Sequence, residues 1–255
     1  MKKLSGKNIV ITGASSGIGE CIALEVAKQG GTPILLARRL DQLEVLVKRI
    51  EETFHVRAYA FKLDVANEQE VVKVFATIDE QMGDIDVLIN NAGYLLSQQE
   101  VQEMVYQEIK DLFAVNVLGL IACTQAVLSK MKAKNAGQII NVVSINGKLP
   151  APKASAYVST KHAALGFTNA LRLELLKTNV QVTAINPGPV NTELFEKAGV
   201  ADQYPNRDHM LDPKIVAQKI VATIGTKKRE LNLPATLGFL GKCYALVPSL
   251  FEKLS

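Results

Sequence analysis

Tryptophan is absent from this chain, and cysteine occurs only three times in 255 residues. Cys21, Cys123 and Cys243 are odd in number, far apart and without a CxxC pair. That argues against a disulfide framework or a cysteine zinc site and fits a reducing compartment. Histidine is equally scarce: His55, His162 and His209 stand at no metal-ligand spacing, so no metal centre is expected. No block of one charge is present. The 29 basic and 25 acidic residues leave a net charge of +4, and the densest basic run is Lys227-Lys228-Arg229. A nucleic-acid binder would carry a stronger basic stripe, so no nucleic acid is expected as a partner. Nor does any stretch approach the ~18 consecutive apolar residues that suggest a membrane-spanning helix. The opening MKKLSGKNIVITG lacks the long apolar core and small-residue cleavage site of a signal peptide. A cytoplasmic protein is the expectation.

What the chain does have is alternation. Short β-branched runs at Asn8–Thr12, Pro33–Ala37, Val56–Leu63, Asp86–Asn90, Gln138–Ser144 and Val180–Asn186 read as strands. Helical segments separate them: to about Gln29, then about Asp41–Thr53, Asn67–Met82, a long region to Lys134, Ser155–Thr178 and Pro213–Ile224. Strands apolar on both faces and separated by helices mean a parallel sheet covered on both sides. The expected architecture is α/β, a single doubly wound Rossmann-type domain over residues 1–255. Its ligand cleft should open at the carboxyl ends of the strands. The least regular stretch, Thr192–Asp212, is long enough for a functional loop.

After the first strand comes Thr12-Gly13-Ala14-Ser15-Ser16-Gly17-Ile18-Gly19. Glycines permit a tight turn and close backbone approach. The helix that follows offers free N–H groups and a positive dipole end to a pyrophosphate. The spacing is G-x-x-x-G-x-G, not G-x-G-x-x-G, and glycines alone also suit a plain strand-to-helix turn. The end of the second strand carries more information. An acidic residue there would bond the ribose 2′-hydroxyl of NAD, whereas this chain has Arg38 and Arg39. Guanidinium groups form paired, charge-assisted bonds to phosphate oxygens, which points to the 2′-phosphate of NADP(H). Asp41 and Glu44 offer the arginines an alternative as ion-pair partners on a solvated face.

Ser144 falls at the end of the fifth predicted strand, and Tyr157 and Lys161 lie four apart on one face of the next helix. Reducing a carbonyl requires a proton for the oxygen while hydride reaches the carbon. A free tyrosine, with a pKa of about 10, holds its proton too tightly for exchange near neutrality. A neighbouring ammonium stabilises tyrosinate and lowers that value. Ser144 is placed to hydrogen-bond the substrate oxygen. Each residue alone has an ordinary structural explanation. Their joint placement behind a glycine-rich loop is what gives them meaning.

With these residues in view, the chain resembles the short-chain dehydrogenase/reductase family in its compact single-domain form. The matching elements are TGASSGIG at Thr12–Gly19, LDV at Leu63–Val65, NNAG at Asn90–Gly93, Asn116 in VNVLG, Ser144, Tyr157-x-x-x-Lys161, and PGPVNT at Pro187–Thr192. They occur in family order, and only the last quarter of the chain has no diagnostic motif. The resemblance implies that Tyr157 is the acid/base, that Lys161 lowers its pKa and holds the nicotinamide ribose, and that Ser144 orients the substrate oxygen. Asn116 would hold a water linking Lys161 to a proton relay. Gly13, Ser15, Ser16, Gly17, Ile18 and Gly19 would carry the pyrophosphate, and Asp64 and Val65 would face the adenine. Asn90, Asn91, Ala92 and Gly93 would line the cofactor cleft. Pro187, Gly188, Val190 and Thr192 would hold the nicotinamide amide side. Many NADP-preferring members carry a basic residue within the glycine loop. This loop has Ser15 and Ser16 there, so cofactor choice rests on Arg38 and Arg39.

The expectation is an NADP-dependent oxidoreductase acting on a small to medium, fairly apolar carbonyl or alcohol. Two rivals are a catalytically silent NADP-binding sensor or scaffold, and a peripheral-membrane lipid-modifying reductase. Specificity should lie in Leu95–Gln99, Ile145–Lys153 and Thr192–Asp212. His162 and Cys123 read as surface and core respectively. Ser144 lacks the G-x-S-x-G elbow of a hydrolase. The apolar segment Leu233–Leu254 suggests a helix with Leu237, Leu240, Tyr244 and Val247 on one face, bent at Pro248. A lid, a subunit contact and a membrane-surface helix all suit it, although a polar face poor in charge disfavours the membrane. The small residues Ala163, Ala164 and Gly166, and the family's habit of pairing these helices, suggest a homodimer or homotetramer.

Overall fold

The computed structural model describes residues 3–199 and 210–252. Strands β1 (Asn8–Thr12), β2 (Thr32–Ala37), β3 (Tyr59–Lys62), β4 (Val87–Asn90), β5 (Gly137–Val142), β6 (Val180–Pro187) and β7 (Glu230–Leu233) form one sheet in the order β3-β2-β1-β4-β5-β6-β7. Every pairing is parallel. The doubly wound α/β expectation therefore holds. Strand order reverses between β1 and β4, which places a topological switch point, the usual ligand crevice, between their carboxyl ends.

Period-two alternation sorts the side chains. Ile9, Ile11 and Leu35 face one layer, packed with α1 (Gly17–Lys28), α2 (Leu40–Phe54) and α8 (Pro213–Ala222). Val10, Ile34 and Leu36 face the other, with α3 (Glu68–Met82), α5 (Leu120–Lys134) and α6 (Ser155–Glu174). Both faces are dry, and each fully buried Leu or Ile stabilises the fold by about 1.5–3 kcal/mol relative to exposure. Asn67 caps α3 by accepting from the Glu70 amide.

Three expectations need correction. The third strand begins at Tyr59, not Val56, because its ladder to β2 starts with Ile34 opposite Tyr59. Second, α4 (Tyr106–Phe113), a π turn (Ala114–Gly119) and α5 run on as a helix over Tyr106–Lys134 that is long and apolar enough, by length and composition, to cross a membrane. Counting uninterrupted apolar runs misses it because Asn116, Thr124 and Gln125 break the run. Its inner face buries Leu112, Leu120, Cys123, Val127 and Met131, as a core helix does. Third, the apolar face read from sequence on α9 (Ala235–Leu246) is only half covered, at Leu237 and Tyr244. Gly238 and Gly241 are its buried residues, while Leu240 and Val247 face outward together with Phe239 and Leu246. A short α10 (Pro248–Glu252) follows, restarted at Pro248 as expected. Residues 200–209 of the Thr192–Asp212 loop, including His209, and residue 254 lie outside the described residues. The rest of that loop includes a short α7 (Leu194–Lys197).

A buried polar chain fixes the helices that carry the site. Asn90 Nδ2 donates to Asn141 Oδ1 at 2.9 Å and to Thr124 Oγ1 at 3.0 Å. Asn141 Nδ2 donates to Thr168 Oγ1 at 2.9 Å. Through these bonds β4 and β5 hold α5 and α6 in fixed register. Each unmade bond would cost about 1–3 kcal/mol of desolvation, which makes any other register unfavourable.

Candidate active site

The loop after β1 turns because glycine lets it. Gly13 has φ +67°, and a Cβ there would lie 2.8 Å from Ala92 Cα. A Cβ on Gly19 would meet the Gly13 carbonyl oxygen at 2.3 Å. Gly19 therefore supports the loop from beneath and does not line the cleft. Thr12 Oγ1 accepts from the Asn91 and Ala92 amides, both at 3.0 Å, and Asn91 Nδ2 donates to Thr12 O at 3.0 Å. These bonds weld the glycine loop to the Asn91–Gly93 turn across the switch point.

Gly13, Ser15, Ser16, Gly17, Ile18, Arg38, Arg39, Asp64, Val65, Asn91, Ala92, Gly93 and Thr192 all line one cleft along the sheet edge. Asn90 is the exception: it is 3% exposed and engaged in the buried amide chain, so it faces the core and not the cleft. Alternation along β4 sends Asn90 and Asn91 to opposite sides. Arg39 Nη2 donates to both Ser15 Oγ and Ser16 Oγ at 2.9 Å, while Arg38 stands exposed at the rim. A guanidinium thus reaches the very loop that carries no basic residue of its own. The cleft pairs free backbone at a helix N-terminus with cationic donors at the end of β2, which suits a dinucleotide bearing an extra phosphate.

The cleft opens into a second cavity lined by Ser144, Tyr157, Lys161, Pro187, Gly188 and Val190, with Leu95, Leu96, Gln98, Val143, Asn146, Ala151, Ala154 and Leu194 around them. Ser144 lies two residues beyond β5 in extended backbone and caps a 3₁₀ turn, Ile145–Gly147, its Oγ accepting from the Asn146 amide at 3.1 Å. Helix α6 carries Tyr157 and Lys161 on its pocket face, and the Lys161 ammonium lies 5.5 Å from the Tyr157 ring centroid. Lys161 is 6% exposed, and burial pushes its pKa down to about 8. It sits against Gly93, whose missing side chain leaves room: a Cβ there would be 3.5 Å from Nζ.

Asn116 does not line either cavity. Its Oδ1 accepts from the Tyr94 amide at 3.0 Å, and its Nδ2 donates to Tyr94 O at 2.9 Å and to Thr160 Oγ1 at 3.1 Å. It therefore clamps the Tyr94 peptide to α6 from within the π turn, a feature that recurs at functional sites. Tyr94 itself was not singled out by sequence reasoning. It lines both cavities, and burial, with Asp111 adding to the effect, raises its hydroxyl pKa. Its place immediately after the NNAG turn was the available signal. His162 is exposed and turned to the Val158 carbonyl. Cys123 is fully buried, and burial pushes its pKa up to about 12, so it is core.

Fold and site together define a nucleotide-binding oxidoreductase scaffold in which a tyrosine, a lysine and a serine face a cavity at the end of a dinucleotide cleft. The family model for short chain dehydrogenase matches residues 7–202, and the chain belongs to that family. It is 37% identical over 246 residues to an NADP-dependent 3-hydroxy acid dehydrogenase from Schizosaccharomyces pombe, covering 94% of each chain. It is 32% identical over 234 residues to a farnesol dehydrogenase from Aedes aegypti, covering 90% of this chain and 94% of that one. Among solved structures, a short-chain dehydrogenase from Sphingobium yanoikuyae in complex with NADPH superposes with a TM-score of 0.84 at 26% identity, covering 95% of each chain.

Proposed function

We propose that this protein is an NADP(H)-dependent oxidoreductase that moves a hydride between the nicotinamide ring and the carbonyl or alcohol carbon of a small to medium, apolar, uncharged substrate. The observation that carries the reading is the convergence of Ser144, Tyr157 and Lys161 on one cavity continuous with the cleft beneath Arg39. Arg38 and Arg39 select the 2′-phosphate, and the relatives named for or solved with NADP(H) support the same choice. When bound, the nicotinamide supplies or accepts the hydride.

This chain's own residues handle the proton. Ser144 Oγ donates to the substrate oxygen, and Tyr157 Oη transfers its proton to that oxygen as charge develops. Lys161, desolvated and close to Tyr157, favours tyrosinate and binds the nicotinamide ribose. Asn116 positions the Tyr94 peptide, and by the family resemblance it would hold the water of a relay leading from Lys161. Asp64 and Val65 face the adenine. Pro187, Gly188, Val190 and Thr192 hold the amide side.

The substrate class follows from the lining. Leu95, Leu96, Val143, Ala151, Ala154 and Leu194 are apolar, and among the described lining residues the one cation, Lys161, is engaged with Tyr157. The two named relatives divide between a hydroxy acid and an isoprenoid alcohol, and the apolar wall favours the second kind. NADPH oxidation measured with medium-chain and isoprenoid aldehydes and ketones, against 3-keto acids, tests this. We expect kcat/KM at least ~10-fold higher for the uncharged compounds, the scale of one desolvated, unpaired charge. Preference for the acids would overturn it.

Assembly as a homodimer or homotetramer through the Tyr106–Lys134 and α6 helices belongs to the same proposal, supported by exposed Tyr106, Leu118 and Leu173. Light scattering showing a monomer at micromolar concentration would contradict it. A cytoplasmic location is also proposed, in keeping with three free cysteines.

A further inference from the structure

Behind the catalytic cavity lies a cluster of polar groups that lines no part of it. Lys148 Nζ and Glu230 Oε1 form an ion pair between residues 82 apart in sequence, with side-chain exposures of 15% and 22%. Taking two ions largely out of water is costly unless their remaining bonding capacity is met. On the carboxylate side a second donor is present: Asn186 Nδ2 donates to Glu230 Oε1 and also to Asn232 Oδ1, both at 3.0 Å. Asn186 is wholly buried, and its Oδ1 has no hydrogen-bond partner.

Two walls of the cavity and the helix packed behind them meet at this cluster. Lys148 closes the 3₁₀ turn that Ser144 begins, its amide donating to Ile145 O at 2.9 Å. Asn186 directly precedes Pro187 and Gly188, which line the cavity. The third element is α9, which backs Gly188 from behind the cavity, and glycine seats it. A Cβ on Gly241 would lie 3.0 Å from Lys148 Cβ, and one on Gly238 would lie 2.4 Å from Asn232 Nδ2. Leu237 is thereby pressed onto Gly188, where a Cβ would meet Leu237 Cδ1 at 2.9 Å.

We propose that Lys148 and Glu230 are positioning residues: joined through Asn186 and Asn232, they lock the Ser144 turn and the end of β6 into one rigid wall around the carbonyl end of the substrate cavity, with the C-terminal helix fastened behind it. The proposal rests on the reading of that cavity as carbonyl-binding. Neither residue touches substrate or cofactor. Both act by fixing where Ser144 Oγ and the Gly188 backbone stand relative to Tyr157.

The test uses the full chain and the variants Lys148→Met, Glu230→Gln and Lys148→Arg. Hydrogen–deuterium exchange is followed in peptides covering residues 144–150 and 235–246. With the pair broken, both segments should exchange faster together by about tenfold or more, because a hydrogen bond to a charged partner is worth that much. Lys148→Arg should keep both near the wild-type rate. For the best carbonyl substrate found above, KM should rise by about tenfold in Lys148→Met and Glu230→Gln, while the Kd for NADPH stays within about twofold. Faster exchange in only one segment, no rescue by arginine, or an unchanged KM would each overturn the proposal. If the wild-type protein reduces no carbonyl at all, the oxidoreductase reading fails. The exchange arm then decides by itself whether the three elements are joined.

Discussion

The two ends of the active-site cleft are built on different principles. The nucleotide end is built around the loop after β1 and the end of β2, with the Asp64–Val65 and Asn91–Gly93 turns alongside, and its working parts are backbone N–H groups, glycines and a guanidinium held by Ser15 and Ser16. The substrate end is assembled from the turn after β5, α6 and the end of β6, with α9 packed behind Gly188. Long-range side-chain bonds such as Lys148 to Glu230 fasten it together. The first end works mainly through backbone at a tight turn and a helix start. The second needs a wall whose parts are brought together by the fold as a whole. It follows that the two ends should fail separately when mutated.

The largest separation is expected at Tyr157. Tyr157→Phe keeps the ring and removes the ionisable hydroxyl. Turnover should fall by at least ~100-fold, the scale of a lost general acid/base, while NADPH affinity, read by fluorescence titration, should hold. Parallel loss of both would show that the two ends are one unit. The converse change is Arg38→Ala with Arg39→Ala. NADPH Kd should rise by about 10- to 100-fold, as expected for lost charge-assisted bonds, with NADH little affected. Equal affinity of the unmodified protein for NADPH and NADH would contradict the role given to these arginines.

A pH profile sharpens the same contrast, because Lys161 serves both ends. Burial lowers its pKa from 10.5 to about 8, so the cofactor-free enzyme loses this cation as pH rises through about 8. The kcat/KM for NADPH, which reports the free enzyme, should therefore fall above about pH 8. For stability the sign is opposite. The unfolded chain binds this proton more tightly, so folding gains from this group as pH rises between about 8 and 10.5. Lys161→Met should abolish that gain, which urea denaturation at pH 7.5 and 10 would detect. The smallest effect is expected at the α9 seat. Gly238→Ala forces a Cβ against Asn232 and should cost about 1–3 kcal/mol, lowering Tm by a few degrees and leaving NADPH affinity unchanged.

The same contrast explains what could be read from the sequence. Gly13, Arg39, Tyr157 and Lys161 were legible because local spacing fixes their roles: a turn requires glycine, and residues four apart on a helix share a face. The parallel sheet was legible from alternation. The role of Asn90 was misread because a residue at a strand end points by parity, and one step separates cleft from core. The seat of α9 was missed for a related reason. Apolar periodicity looks for large side chains in contact, whereas this helix docks through Gly238 and Gly241. Asn186 and the Lys148–Glu230 pair carry no local pattern. Their meaning depends on partners 44 to 82 residues away.

The central claim is hydride transfer to an uncharged carbonyl carbon, and isotope transfer tests it most directly. NADPH deuterated at the transferring position of the nicotinamide is incubated with the best uncharged aldehyde or ketone, and the alcohol is analysed by mass spectrometry. The account predicts one deuterium on the carbinol carbon for each NADPH oxidised, and none above background with Tyr157→Phe. NADPH that binds tightly and yet delivers no deuterium to any carbonyl tested would contradict it.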